Sequence, residues 1–78
     1  MKKILFLCTG NSCRSQMAEG FANELGFRAF SAGTNPEVEV NPNAIKVMSE
    51  IEIDISIYQP KSVHKYINND FDFVITVC

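Results

Sequence analysis

Apolar and polar positions along this chain switch between a run, a four-residue spacing and a run again. Residues 3–7, Lys-Ile-Leu-Phe-Leu, form a short near-continuous apolar stretch. That is the pattern of a strand buried on both faces in a parallel sheet. Gly10 and Asn11 follow, the residue types that best tolerate positive φ, so a turn is expected there. From Ser12 onward a helix is expected, with Met17, Phe21 and Leu25 as its buried stripe, Ala18 and Ala22 beside them, and Gly26 as its stop. Residues 27–32 read as a second strand, ended by Gly33 and a polar stretch through Glu39. Asn41 is expected to cap a second helix with Pro42 at its first position, where a missing N–H costs nothing. Ala44, Val47, Met48 and Ile51 are expected to form its buried stripe. A short third helix is expected near Ser62, using Val63, Tyr66 and Ile67, and residues 71–77 read as a third strand.

Strand, glycine-containing turn and helix open a βαβ unit. The pattern therefore predicts one α/β domain over residues 1–78, with three parallel strands and about three helices. A βαβ fold normally follows its strands with a loop and a covering helix. Only Cys78 follows the third strand, so one sheet face is expected to be thinly covered and one edge exposed.

Composition narrows the function classes. Among 78 residues, 46% are hydrophobic and 21% charged, a globular mixture too apolar for a disordered chain. Seven basic against nine acidic side chains give a net charge of −2. Nucleic acid and anionic membranes both require clustered cations, so neither is an expected partner. Only four apolar residues follow Lys2 and Lys3 before the turn, against roughly 7–15 in an export signal, and no run approaches the roughly 18–20 of a membrane span. A cytoplasmic location is the expectation. The three cysteines stand at positions 8, 13 and 78. Their spacing fits neither a secreted disulfide framework nor a zinc site, so no metal and no cofactor are expected.

The chemistry concentrates in Cys8-Thr9-Gly10-Asn11-Ser12-Cys13-Arg14-Ser15. A cysteine ends the first strand, and an arginine opening a helix follows within one turn of loop. Backbone N–H groups of residues 9 to 14 are placed to converge on one point, a nest at a helix N-terminus. Arg14 adds a planar fork matched to two oxygens of a tetrahedral oxyanion. The same positive field favours the thiolate of Cys8, and Ser15 is placed to donate to it. The product is a nucleophile beneath an anion held in line for attack. His64 stands alone and reads as a surface residue.

The segment from Cys8 to Gly20, C-T-G-N-S-C-R-S-Q-M-A-E-G, resembles the active-site loop and first helix of arsenate reductases built on the low-molecular-weight protein tyrosine phosphatase fold. Ser31-Ala32-Gly33, Val40-Asn41-Pro42-Asn43-Ala44-Ile45, Ile53-Asp54-Ile55-Ser56 and the apolar run to Cys78 extend the likeness over essentially the whole chain. The resemblance implies a three-layer parallel sheet of that type, incomplete here. Phosphatases of the family usually carry proline where Gln16 stands, which tilts the resemblance toward arsenate. It implies that Cys8 attacks arsenate while Arg14 and the amides of Thr9, Gly10, Asn11, Ser12 and Cys13 bind the oxyanion. Ser15 would stabilise the thiolate and Asn11 would hold the loop. Cys78 matches the cysteine that attacks the Cys8–arsenic adduct, expels arsenite and leaves a disulfide, which thioredoxin or another thiol then reduces. Both cysteines end strands whose carboxyl ends share one sheet edge, where ligands bind.

Other roles stay open at this level. Cys13 either packs or traps an oxidised Cys8. Some members bind potassium near the loop; the matching positions are Asn11, Glu19 and Ser31. Lys61 stands where an aspartate is expected, so its ammonium would take the cation's place and no potassium is expected. The family's third redox cysteine and its downstream Asp-Pro pair have no counterpart in these residues, which implies the amino-terminal part of such a reductase. Alternatives are a phosphatase acting on phosphotyrosine and a non-catalytic oxyanion-binding fragment.

Overall fold

The structure is a computed structural model that describes residues 1–77. Its elements follow in the order β1 (Lys3–Cys8), α1 (Arg14–Glu24), β2 (Arg28–Gly33), α2 (Pro42–Ser49), a 3-10 turn (Val63–Tyr66) and β3 (Phe73–Thr76). The sheet is parallel throughout, in the order β2-β1-β3. Lys3 pairs with Arg28 and Cys8 with Gly33 along one side of β1, and Ile4 pairs with Phe73 and Leu7 with Thr76 along the other. Parallel pairing brings the carboxyl ends of all three strands to one edge. The loop from Thr9 to Cys13 leaves the middle strand there.

Burial departs from the sequence pattern in an instructive way. In β1, Ile4 and Leu5 are buried, whereas Phe6, Leu7 and Cys8 are only partly so. Helix α1 begins at Arg14, not at Ser12, and the stripe expected to be inside is partly outside: Phe21 is 47% exposed and Leu25 77%. The buried set is Ser15, Gln16, Glu19, Gly20 and Ala22. Two physical causes combine. Hydrogen-bonded polar groups tolerate burial, and Gly20 admits a close neighbour: a Cβ there would lie 2.9 Å from Ile55 and 3.1 Å from Met48. Those two residues, with Val40 and Ala44, form a buried cluster, against which Cys13, Met17, Ile45, Ile53 and Tyr58 pack. The core therefore lies where α1 meets α2 and the segment after it.

Helix α2 keeps only half of its expected stripe, since Ala44 and Met48 are buried while Val47 and Ile51 are about half exposed. Its start is as expected: Asn41 accepts from the Asn43 N–H at 2.8 Å, and Pro42 is the first helical residue. The third helix is a single 3-10 turn with no buried residue, too short to bury a face. Gly26 ends α1 with φ +96°. All four residues of β3 are exposed, as expected for a thinly covered edge strand.

Candidate active site

Cys8 closes β1, and the loop after it folds back over the end of β2. Thr34 N–H donates to the Cys8 carbonyl (3.1 Å), Asn35 N–H to Thr9 (2.9 Å) and Glu37 N–H to Gly10 (2.8 Å). These bonds extend the sheet pairing beyond the strands and fix the loop's base. Contact is close because Gly33 has no side chain: a Cβ there would sit 2.4 Å from the Thr9 carbonyl oxygen. No local pattern singles out Gly33 for this; only the pairing of Cys8 with Gly33 reveals it.

The turn expected at Gly10 and Asn11 is present, but the positive φ (+50°) belongs to Asn11 and not to Gly10. Asn11 is fully buried and makes most of the loop's internal bonds. Its backbone N–H donates to Cys8 Sγ at 2.9 Å, and its Nδ2 donates to Ser15 Oγ at 2.8 Å. Ser15 Oγ in turn lies 2.8 Å from Cys8 Sγ. Asn11 Oδ1 accepts from the Lys61 N–H at 2.7 Å. A donor to sulfur stabilises negative charge there more than it stabilises the neutral thiol.

Above the sulfur lies a concavity of about 230 Å³, lined by residues 8–14 and Val77. Among the described residues, the N–H groups of Gly10, Ser12, Cys13 and Arg14 donate to no protein acceptor. Unsatisfied amides at a helix start attract an anion. Arg14 opens α1, is exposed, and forms no ion pair among the described residues. Its guanidinium remains available to a ligand. Cys13 is half-buried and borders both the concavity and the helical core cluster. Cys8 and Cys13 are both free thiols. Cys78 lies outside the described residues.

Beneath the loop is a second polar group. Glu19 is buried on α1, accepts from the Ser31 hydroxyl at 2.6 Å, and lies 3.7 Å from Lys61 Nζ. Burial raises the Glu19 carboxyl above its ordinary range, partly offset by Ser31 and Lys61. Burial likewise lowers the Lys61 ammonium, against the pull of Glu19. The Lys61 ammonium and the Glu19 carboxyl thus face one another beneath the loop. Among the described residues, no group of three or more His, Cys, Asp or Glu is arranged to hold a metal ion, and no helix is long and apolar enough to cross a membrane.

Gln16 is the site residue whose contacts the sequence did not disclose. It is fully buried, and its Nε2 reaches the Asn11 carbonyl (2.9 Å), Asn11 Oδ1 (3.1 Å) and the Gln59 carbonyl (3.1 Å). The available signal was a second helical stripe, Ser15, Gln16, Glu19 and Gly20, hidden by the apolar one.

Known proteins share this arrangement. The chain is 49% identical over 80 residues to an arsenate reductase of Shouchella clausii, covering 99% of this chain and 57% of that protein. The chain thus spans a little over half the length of such relatives. Among solved structures, an arsenate reductase in the phosphate-binding state superposes with a TM-score of 0.92 at 44% identity, covering 100% of this chain and 61% of that one. The thioredoxin-dependent arsenate reductase of Corynebacterium glutamicum gives 0.87 at 32% identity, covering 97% and 40%. Residues 3–78, from the first strand through the loop to the last cysteine, match one family over nearly their whole extent, and this chain belongs to it: the low molecular weight phosphotyrosine protein phosphatase family.

Proposed function

We propose that this chain carries the oxyanion-binding and nucleophilic part of a thiol-dependent arsenate reductase. One observation carries the reading: Cys8 Sγ accepts the Asn11 N–H at 2.9 Å and lies 2.8 Å from Ser15 Oγ, beneath unpaired amides and Arg14. A tetrahedral arsenate held by those amides and by the guanidinium fork of Arg14 presents its arsenic to the sulfur. The Cys8 thiolate attacks arsenic(V), a sulfur–arsenic bond forms, and one oxygen leaves as water after protonation. A second thiolate, assigned to Cys78, attacks the Cys8 sulfur. The sulfur–sulfur bond forms as the sulfur–arsenic electron pair passes to arsenic, which departs as arsenite. Two thiols are oxidised to a disulfide and arsenic gains the two electrons. Thioredoxin or another thiol then restores the cysteines; the thioredoxin dependence of the C. glutamicum neighbour supports that choice.

Relatives named arsenate reductase favour arsenate, whereas the family's description favours a second reading, hydrolysis of phosphotyrosine at the same loop. Iodoacetamide at pH 6 should label Cys8 well ahead of the other cysteines, and phosphate or arsenate should slow that labelling. Incubation with arsenate and no added reductant should then release arsenite and yield a chain two hydrogens lighter, with Cys8 and Cys78 linked. Equal labelling of all cysteines without anion protection would overturn the nucleophile. Hydrolysis of p-nitrophenyl phosphate without arsenite formation would select the phosphatase reading.

A further inference from the structure

Asn11 holds a backbone conformation that non-glycine residues rarely adopt, φ +50°. It is kept only when its surroundings over-determine it. Two donors from outside the loop make three hydrogen bonds to Asn11. Lys61 N–H binds Oδ1 at 2.7 Å, and Gln16 Nε2 reaches both Oδ1 (3.1 Å) and the backbone carbonyl (2.9 Å). The same Gln16 nitrogen reaches the Gln59 carbonyl at 3.1 Å. One amide nitrogen on α1 therefore joins the anion-binding loop to the 59–61 segment. The orientation of that amide follows from its neighbours, because a flipped side chain would set its oxygen against three other oxygens. The opposite atom, Gln16 Oε1, is buried with no hydrogen-bond partner among the described residues. A buried orphan acceptor lowers stability, so packing alone does not explain a glutamine at this position.

We infer that Gln16 is a positioning residue for the Cys8 nucleophile, fixing Asn11 so that its N–H meets the sulfur and its side chain holds Ser15. The inference rests on the reading of Cys8 as nucleophile. The linkage runs from Gln59 and Lys61 through Gln16 and Asn11 to Ser15 and Cys8, with every step a hydrogen bond of 3.1 Å or less. Gln16 touches neither the sulfur nor a bound oxyanion in this scheme. It acts by keeping Asn11 in place.

The test compares iodoacetamide rates at Cys8 and Cys13 at pH 6 in the whole chain, with and without inorganic phosphate, for the parent sequence, Gln16→Met and Gln16→Glu. Met keeps the approximate volume and removes the donor; Glu keeps the shape and, when ionised, faces the same oxygens with a negative charge. In both variants the Cys8 rate should fall about tenfold, the factor that about 1.4 kcal/mol represents. Phosphate protection should weaken, and the Cys13 rate should stay unchanged. In Gln16→Glu the deficit relative to the parent should deepen as pH rises and the carboxyl ionises. A merely structural loss would accelerate both thiols together. Unchanged Cys8 rates in both variants, or accelerated labelling of both cysteines in both variants, would overturn the proposal. Equal labelling of Cys8 and Cys13 in the parent chain would instead overturn the nucleophile reading beneath it.

Discussion

Replacing Gly33 by alanine should damage the loop after Cys8, the proposed anion cradle, from outside it. The added Cβ would lie 2.4 Å from the Thr9 carbonyl oxygen and 3.1 Å from both the N and the Cβ of Asn11. That first distance falls about 1 Å short of ordinary van der Waals contact. The Thr9 oxygen and the Asn11 nitrogen are backbone atoms and cannot rotate aside. Hydrogen bonds hold them in place as well: the Asn35 N–H donates to the Thr9 oxygen at 2.9 Å and the Asn11 N–H to Cys8 Sγ at 2.9 Å. Relief must come from moving the loop off the end of β2. Overpacking of this kind costs about 1–3 kcal/mol of stability. In a domain of this size each kcal/mol lowers Tm by roughly 4–8 °C. Displacing reacting groups by about 1 Å costs on the order of 10²-fold in rate. The assay pairs a thermal melt with phosphate protection of Cys8 against iodoacetamide. Gly33→Ala should lose both stability and protection. Gly26→Ala is the control: nothing lies within 4 Å of its Cβ, but its φ of +96° strains any side chain, so it should lose stability alone. Parent-like phosphate protection and Cys8 reactivity in Gly33→Ala would refute the argument that β2 supports the loop.

Arg14→Lys keeps the charge but loses the two-pronged fork, and should weaken transition-state stabilisation by about 2–4 kcal/mol, as loss of an oxyanion donor does; arsenite formation at the parent rate would contradict this. Glu19→Gln should flatten the pH dependence of stability between acid and neutral pH. Burial raises the folded-state pKa of Glu19 above its ordinary 4.5, so the folded chain binds that proton more tightly than the unfolded one. Its contribution is present at low pH and is lost as pH rises through 4.5 and the raised value. Melting curves of both chains from pH 4 to 8 should therefore show the variant gaining stability relative to the parent as pH rises, and an unchanged difference across that range would show that Glu19 does not titrate as argued. The Lys61 contribution has the opposite sign and a different window, since its folded-state pKa is lowered and stability is regained only as pH climbs from there toward 10.5.

Local sequence determined the parts whose physics is local. The strand before Cys8, the Asn41-Pro42 cap and the Gly26 stop each depend on residues within a turn of one another, and each is present where it was read, although only Ile4 and Leu5 of that strand are buried. The loop's local geometry was legible for the same reason: Cys8, Asn11, Arg14 and Ser15 lie within eight consecutive residues, and one strand–turn–helix brings Cys8, Asn11 and Ser15 into hydrogen-bonding distance. Tertiary structure alone decided which side of α1 faces inward. Met17, Phe21 and Leu25 carry the apolar period, yet Ser15, Gln16, Glu19 and Gly20 are the residues covered. Hydropathy assigns burial one residue at a time, whereas a buried polar group is stable only because of a partner, and here the partners are Ser31, Gln59 and Lys61, far along the chain. The closeness of Gly33 to Thr9 has the same origin, for it exists only once β1 and β2 pair in register. Composition and spacing thus specify the reactive loop, and long-range pairing specifies what holds it, because hydrogen bonds between distant segments leave no period in the sequence.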